Sequence, residues 1–127
     1  MKDKIVLQKI QKYIERIRPI YESIKDLDEE AILEKNDSYA MTQMLINIHS
    51  LFNNVDNEDI VRKQVDLGFR DLNSCRNISA HDYDSLDWSR VKRMTKKIVS
   101  DQTQKLLDEC IEMADKSGQQ LIKDLFE

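Results

Sequence analysis

At 127 residues the chain is long enough to bury one core and too short for two ordinary ones, so residues 1–127 read as a single domain. Two glycines, one proline and a scarcity of alternating apolar–polar runs exclude most β architecture and predict an all-α fold. The net charge of −4 excludes a uniformly basic nucleic-acid binder, yet residues 88–97, WSRVKRMTKK, hold five positive charges and no negative one, which leaves −9 on the rest of the chain. The opening MKDKIVLQKI breaks its apolar residues with charge, unlike a secretory signal. Residues 38–55 are uncharged but carry Thr42, Gln43, Asn47, His49, Ser50, Asn53 and Asn54, which argues against a membrane span. A cytoplasmic protein is expected.

In chain order, Leu7, Ile10, Ile14, Ile17, Tyr21 and Ile24 recur at steps of three and four and predict a long amphipathic helix over residues 2–26, kinked or broken at Pro19. The acidic DLDEEAILEKND reads as a solvated connection with room for a turn or two of helix. Met41, Leu45, Ile48, Phe52 and Val55 form a second stripe with Asp37 or Ser38 as N-cap. Acids in DNED, residues 56–59, suit the start of a third helix and lack the spacing of a calcium loop. That helix carries Val61, Val65, Gly68, Leu72 and Cys75, with Gly68 leaving room for a close neighbour. A last helix carries Val91, Met94, Ile98, Leu106, Cys110 and Met113. Asp87 is its N-cap, Leu86 and Val91 have the spacing of a hydrophobic staple, and Gly118 reads as its stop. QQLIKDLFE then forms a short terminal helix. The expected architecture is an antiparallel four-helix bundle.

The connection between the third and fourth helices, RNISAHDYDSLDW, gathers an arginine, a histidine, a tyrosine and three aspartates. Arg76 and His81 are five residues apart, about 140° around a continuous helix, so they share a site only if the helix ends near them. Asp82, Asp84 and Ser85 favour such an ending. With the helix stopping near Ala80, Arg76 lies on its last turn and His81 just beyond. Histidine exchanges protons near neutral pH, and arginine grips phosphate oxygens with two parallel hydrogen bonds. Together they can deprotonate a ribose 2′-hydroxyl or protonate a leaving oxygen while the phosphate is held. That chemistry asks for no metal and no cofactor.

RNISAHDY resembles the motif of the HEPN superfamily, an arginine, four residues, a histidine, any residue and a tyrosine, and in particular its HepT-like toxin family. Arg76, His81 and Tyr83 occupy the motif positions, and Asn77 matches the polar residue after the arginine. An acid and a tryptophan follow, as Asp87 and Trp88. The pattern covers residues 39–113. Asp84 and Ser85 stand where the family commonly has an aromatic and a glycine, and Asn47, Ile48, His49 and Ser50 stand where its second helix tends to carry a glycine–glutamate pair. The resemblance implies a HEPN-like bundle and a metal-independent endoribonuclease, the toxin of a bacterial toxin–antitoxin pair. It implies a homodimer whose two motifs face one RNA-binding cleft. A twofold pair also supplies the second histidine that acid–base cleavage wants. By the same resemblance, Arg76 stabilises the phosphate, His81 carries protons and Asn77 supports the site. Tyr83 binds RNA and receives AMP from a small nucleotidyltransferase antitoxin, which inactivates the enzyme. The alternative is a non-catalytic HEPN module that binds a nucleotidyltransferase or a nucleotide; retention of both Arg76 and His81 favours the enzyme.

Arg90, Arg93 and Lys97 fall on one helical face, with Lys92 and Lys96 beside them. They form either a solvated face or a phosphate footprint for RNA. His49 borders the second stripe and reads as a core-edge or dimer-interface residue. Cys75 and Cys110 lack a paired-cysteine metal spacing and read as core residues. Tyr83 and Trp88 have faces on which unpaired bases stack, and Trp88 can equally close the core.

Overall fold

The computed structural model describes residues 2–75 and 86–126, and in it the first apolar stripe is one helix, α1 (Lys2–Ile24). All six stripe residues are buried. Pro19 lies inside α1 on its exposed side. There the carbonyl that loses its partner faces water, so the helix continues through the proline rather than breaking.

The acidic connection contains the turn of helix expected in it. Asp28 caps α2 (Glu29–Leu33), its carboxylate accepting from the Ala31 amide at 2.9 Å, and Ile32 is fully buried. This short helix sets the start of α3 (Asn36–Phe52). Neither Asp37 nor Ser38 is the N-cap; that position is Lys35, which makes no side-chain capping bond. Ser38 is instead drawn into the core, where its hydroxyl donates to the Ile32 carbonyl at 3.1 Å.

The third stripe does not form one helix. It folds as α4 (Glu58–Val61), α5 (Gln64–Leu67) and a 3-10 helix (Arg70–Cys75). Val61 and Val65 stay 40% and 56% exposed, while Ile60, Leu67, Phe69, Leu72 and Cys75 fill the core. Gly68 ends α5 in the left-handed region at φ 82°, a conformation that costs a residue with a Cβ about 1–2 kcal/mol. The acids of DNED do open a helix: Asn57 caps α4, with Glu58 and Asp59 in its first turn. Asp3 of α1 holds this start in place by accepting from the Asp56 and Asn57 amides at 3.0 and 2.9 Å.

The fourth stripe is two helices, α6 (Trp88–Ile98) and α7 (Asp101–Phe126). Between them Ser100 accepts from the Thr103 amide at 3.2 Å, a side-chain cap that starts a new helix. Arg18 of α1 clamps this turn, donating to the Val99 carbonyl at 2.6 Å and to Gln104 at 3.1 Å. Gly118 does not stop α7, which passes through it and absorbs the separate terminal helix expected there. Gly118 is buried and lines a groove with Lys4, Ile5 and Gln8 of α1; a glycine costs a helix interior roughly 1 kcal/mol but does not end it.

The result is an all-α bundle with no strand among the described residues. A single apolar cluster runs from Val6 to Ala114. Phe52 and Phe69 meet edge to face at 5.4 Å and tie α3 to the segment after Gly68.

Candidate nucleic-acid interface

Arg76, Asn77, His81 and Tyr83 lie outside the described residues. The structure does define the two anchors of the segment that carries them. On one side the 3-10 helix ends at Cys75, 1% exposed; on the other Leu86, 8% exposed, leads into α6. Both enter the same core. Ser74 reinforces the first anchor, its hydroxyl donating to the Asp71 carbonyl at 2.7 Å and approaching Met94 Sδ of α6 at 3.8 Å. Asp87 fixes the second, accepting from the Arg90 amide at 3.2 Å as the N-cap of α6. Leu86 and Val91, both buried, complete the expected staple.

Two open grooves adjoin these anchors. One, of about 190 Å³, lies between Ser74, Cys75, Leu86 and Asp87 and is bounded by Arg90 and Met94. The second, of about 380 Å³, shares Arg90 and Met94 with it and continues past Arg93, Lys97, Asp71 and Gly68. Arg90 therefore stands where the two anchors adjoin the basic face. Arg90 and Arg93 are exposed and have no carboxylate partner among the described residues. Their charge is available to an anion in the groove.

Gly68 shapes that groove twice over. Its left-handed backbone turns the chain, and a Cβ there would lie 2.6 Å from Lys97 Cγ. The Lys97 stem thus crosses directly over the glycine, and its ammonium reaches Gln102 at 3.3 Å. The expected close neighbour is Lys97 of α6, met at a turn instead of mid-helix. Lys92 points elsewhere: its ammonium donates to the Leu27 carbonyl in the connection between α1 and α2. Lys96 is exposed and lines neither groove. The five cations are one cluster in sequence, and the structure brings Arg90, Arg93 and Lys97 together without Lys92 or Lys96.

Trp88 is 2% exposed and closes the core at the first turn of α6, so its face is not offered to a base. Cys75 and Cys110 are buried free thiols. Burial pushes both thiols up from the ordinary cysteine range, with Arg90 opposing the shift at Cys75 and Lys63 opposing it at Cys110. Neither is an activated nucleophile. His49 is half-buried on α3 with Asn53 Nδ2 at 3.5 Å from its Nδ1, at the edge of the core. The described residues hold no cluster of metal-ligating side chains and no helix long and apolar enough to cross a membrane.

No curated protein and no solved structure gives a significant match to the chain. A family model described as ribonuclease HepT-like matches residues 5–113. That span takes in α1 to the first half of α7, both anchors, the basic groove and the motif between them, and on it the chain belongs to the HepT-like ribonuclease family.

Proposed function

We propose that this chain is a metal-independent endoribonuclease of the cytoplasm and the toxin of a two-protein pair. The observation that carries the reading is the ribonuclease family match across residues 5–113, in a chain that keeps both Arg76 and His81. The groove of Arg90, Arg93 and Lys97 beside the motif anchors supports it by giving the RNA backbone a path to that segment.

RNA carries its own nucleophile. His81 takes the proton of a ribose 2′-hydroxyl, whose oxygen attacks the adjacent phosphorus. The bond to the 5′-oxygen breaks, a proton is returned to that oxygen, and a 2′,3′-cyclic phosphate and a 5′-hydroxyl are left. Arg76 neutralises the charge that grows on the phosphate oxygens. Asn77 orients the phosphate. Base and acid act from opposite sides of the phosphorus, so a homodimer with two motifs on one cleft supplies both histidines. The antitoxin is a nucleotidyltransferase that joins AMP from ATP to the Tyr83 oxygen and releases pyrophosphate.

The test is RNA cleavage in EDTA by the wild type, Arg76→Ala and His81→Ala. The wild type is expected to cut RNA and not DNA. His81→Ala should lose at least about a hundredfold in rate, the usual worth of a positioned proton carrier, and Arg76→Ala a similar amount, the usual worth of a donor aimed at developing charge. Activity that survives in His81→Ala and vanishes with the chelator would refute the mechanism; a wild type that cuts no RNA but binds a nucleotide or a nucleotidyltransferase would point to the non-catalytic module.

A further inference from the structure

A second basic groove lies between α1 and α3, about 500 Å³ in volume, and shares no residue with the two beside the motif anchors. One wall is Lys9, Lys12 and Arg16 of α1; the other includes Asn47, Ser50 and Asn54 of α3. Each set has the spacing i, i+3, i+7, which puts its members in a row along one helix face. All three cations are exposed, and among the described residues none pairs with a carboxylate. The chain has 24 acidic residues, yet none lines this groove. The Arg16 guanidinium lies 6.0 Å from the Tyr13 ring centre, at the outer reach of a cation–π contact.

We propose that this groove is a second RNA-backbone site, which grips single-stranded substrate away from the scissile phosphate. The inference rests on the ribonuclease reading, since it takes the substrate to be RNA. Lys9 and Arg16 are seven residues apart, about 10 Å along the helix axis. That row is longer than one phosphodiester, so its cations meet more than one backbone phosphate of a strand. On the facing wall Asn54 already donates to the Ser50 carbonyl at 3.3 Å, while the Asn47 amide has the donor and acceptor to meet a phosphate oxygen or an exposed base edge. Leu51 in the same groove gives a ribose or base an apolar place to rest. The consequence is a preference for long substrates: RNA that reaches both the motif and this groove binds better than RNA that reaches only the motif.

The test compares the triple variant Lys9→Gln, Lys12→Gln, Arg16→Gln with the double variant Lys9→Arg, Lys12→Arg, which leaves Arg16 unchanged. Binding of long and short oligouridylate is read in a His81→Ala background at several salt concentrations, and cleavage of long and short RNA is read with His81 intact. The glutamine variant should bind long oligouridylate at least about tenfold more weakly, with the log–log salt slope smaller by about 0.7 for each phosphate that is no longer neutralised. It should raise KM for long RNA, leave kcat near wild type and leave short RNA unaffected. The arginine variant should behave as wild type. Unchanged affinity and slope for long RNA, in a protein that still cleaves, would overturn the second site and leave the ribonuclease reading standing. Failure of the parent protein to bind or cut any RNA would overturn both. An altered oligomeric state in the glutamine variant would assign the groove to an interface between copies, and binding of ATP but not RNA to the three cations would assign it to a free nucleotide; either refutes the proposal.

Discussion

Lys92 and Arg93 are neighbours in sequence and opposites in role. The Lys92 ammonium is tied to the Leu27 carbonyl, while Arg93 lines the groove that Arg90 shares with the motif anchors. A charged donor to a part-buried carbonyl contributes on the order of 1 kcal/mol. Lys92→Met should therefore destabilise the fold by about that much, read from urea unfolding, and leave the salt slope of RNA binding unchanged. Arg93→Gln should do the reverse. A stable Lys92→Met protein with a flattened slope would return Lys92 to the footprint. Tyr83 is tested by covalent mass. The wild type treated with the proposed nucleotidyltransferase and ATP should gain one AMP and stop cleaving, because a bulky anion then competes with the substrate phosphate. Tyr83→Phe should keep much of its activity and gain no mass. Modification at another residue, or on Tyr83 without loss of cleavage, would disprove the switch. The buried thiols add a pH dependence. Cys75 and Cys110 are held above their ordinary value of 9.0 by burial, so above that pH the unfolded chain sheds protons that the folded chain keeps. Stability should fall as pH rises through the thiolate range. A Cys75→Ala, Cys110→Ala variant should show less of that fall in urea titrations at about pH 8 and pH 10.

At the scale of elements, Gly68 carries the sharpest expectation. Alanine there must adopt φ 82° and displace the Lys97 stem, since its Cβ would meet Lys97 Cγ at 2.6 Å. Gly68→Ala should cost about 1–2 kcal/mol, the usual penalty of the left-handed region, and weaken RNA binding by moving Lys97; an unchanged urea midpoint would contradict the backbone assignment. The sequence makes some elements plain and conceals others for physical reasons. α1 is legible because the six residues of its stripe, all buried, repeat without a gap, and the start of α6 because Leu86, Asp87 and Val91 give both cap and staple. The break between α6 and α7 has a sequence signal that the apolar stripe alone conceals: the stripe jumps from Ile98 to Leu106, and Ser100 before Asp101 is a capping pair. The third stripe misleads because Val61, Val65, Leu72 and Cys75 satisfy helical spacing, while the core is filled instead by Leu67 at the end of α5 and by Phe69 just after the Gly68 turn. At the interface, charge places Arg90, Arg93 and Lys97 on one face. The withdrawal of Lys92 is hidden in the sequence because it depends on where the connection after α1 comes to rest.

For the whole molecule, the open question is how many copies build one cleft. The chain has two histidines. His49 sits on α3 with Asn53 at 3.5 Å, and His81 belongs to the motif segment, so one chain offers the proposed reaction one proton carrier in the motif. A dimer that pairs two motifs supplies the acid and the base together, and that arrangement has a numerical signature. Wild type and His81→Ala are mixed in equal amounts and allowed to exchange subunits at constant total protein. Random pairing leaves about a quarter of the dimers wholly wild type. Cleavage should then fall to about a quarter of the all-wild-type rate if both histidines act in one cleft, and to about a half if each copy works alone. His49→Gln is the companion measurement and should cleave at close to the wild-type rate. A mixture that retains half the activity, together with a His49→Gln protein that retains none, would show that one chain assembles its own acid–base pair across α3 and would overturn the composite cleft.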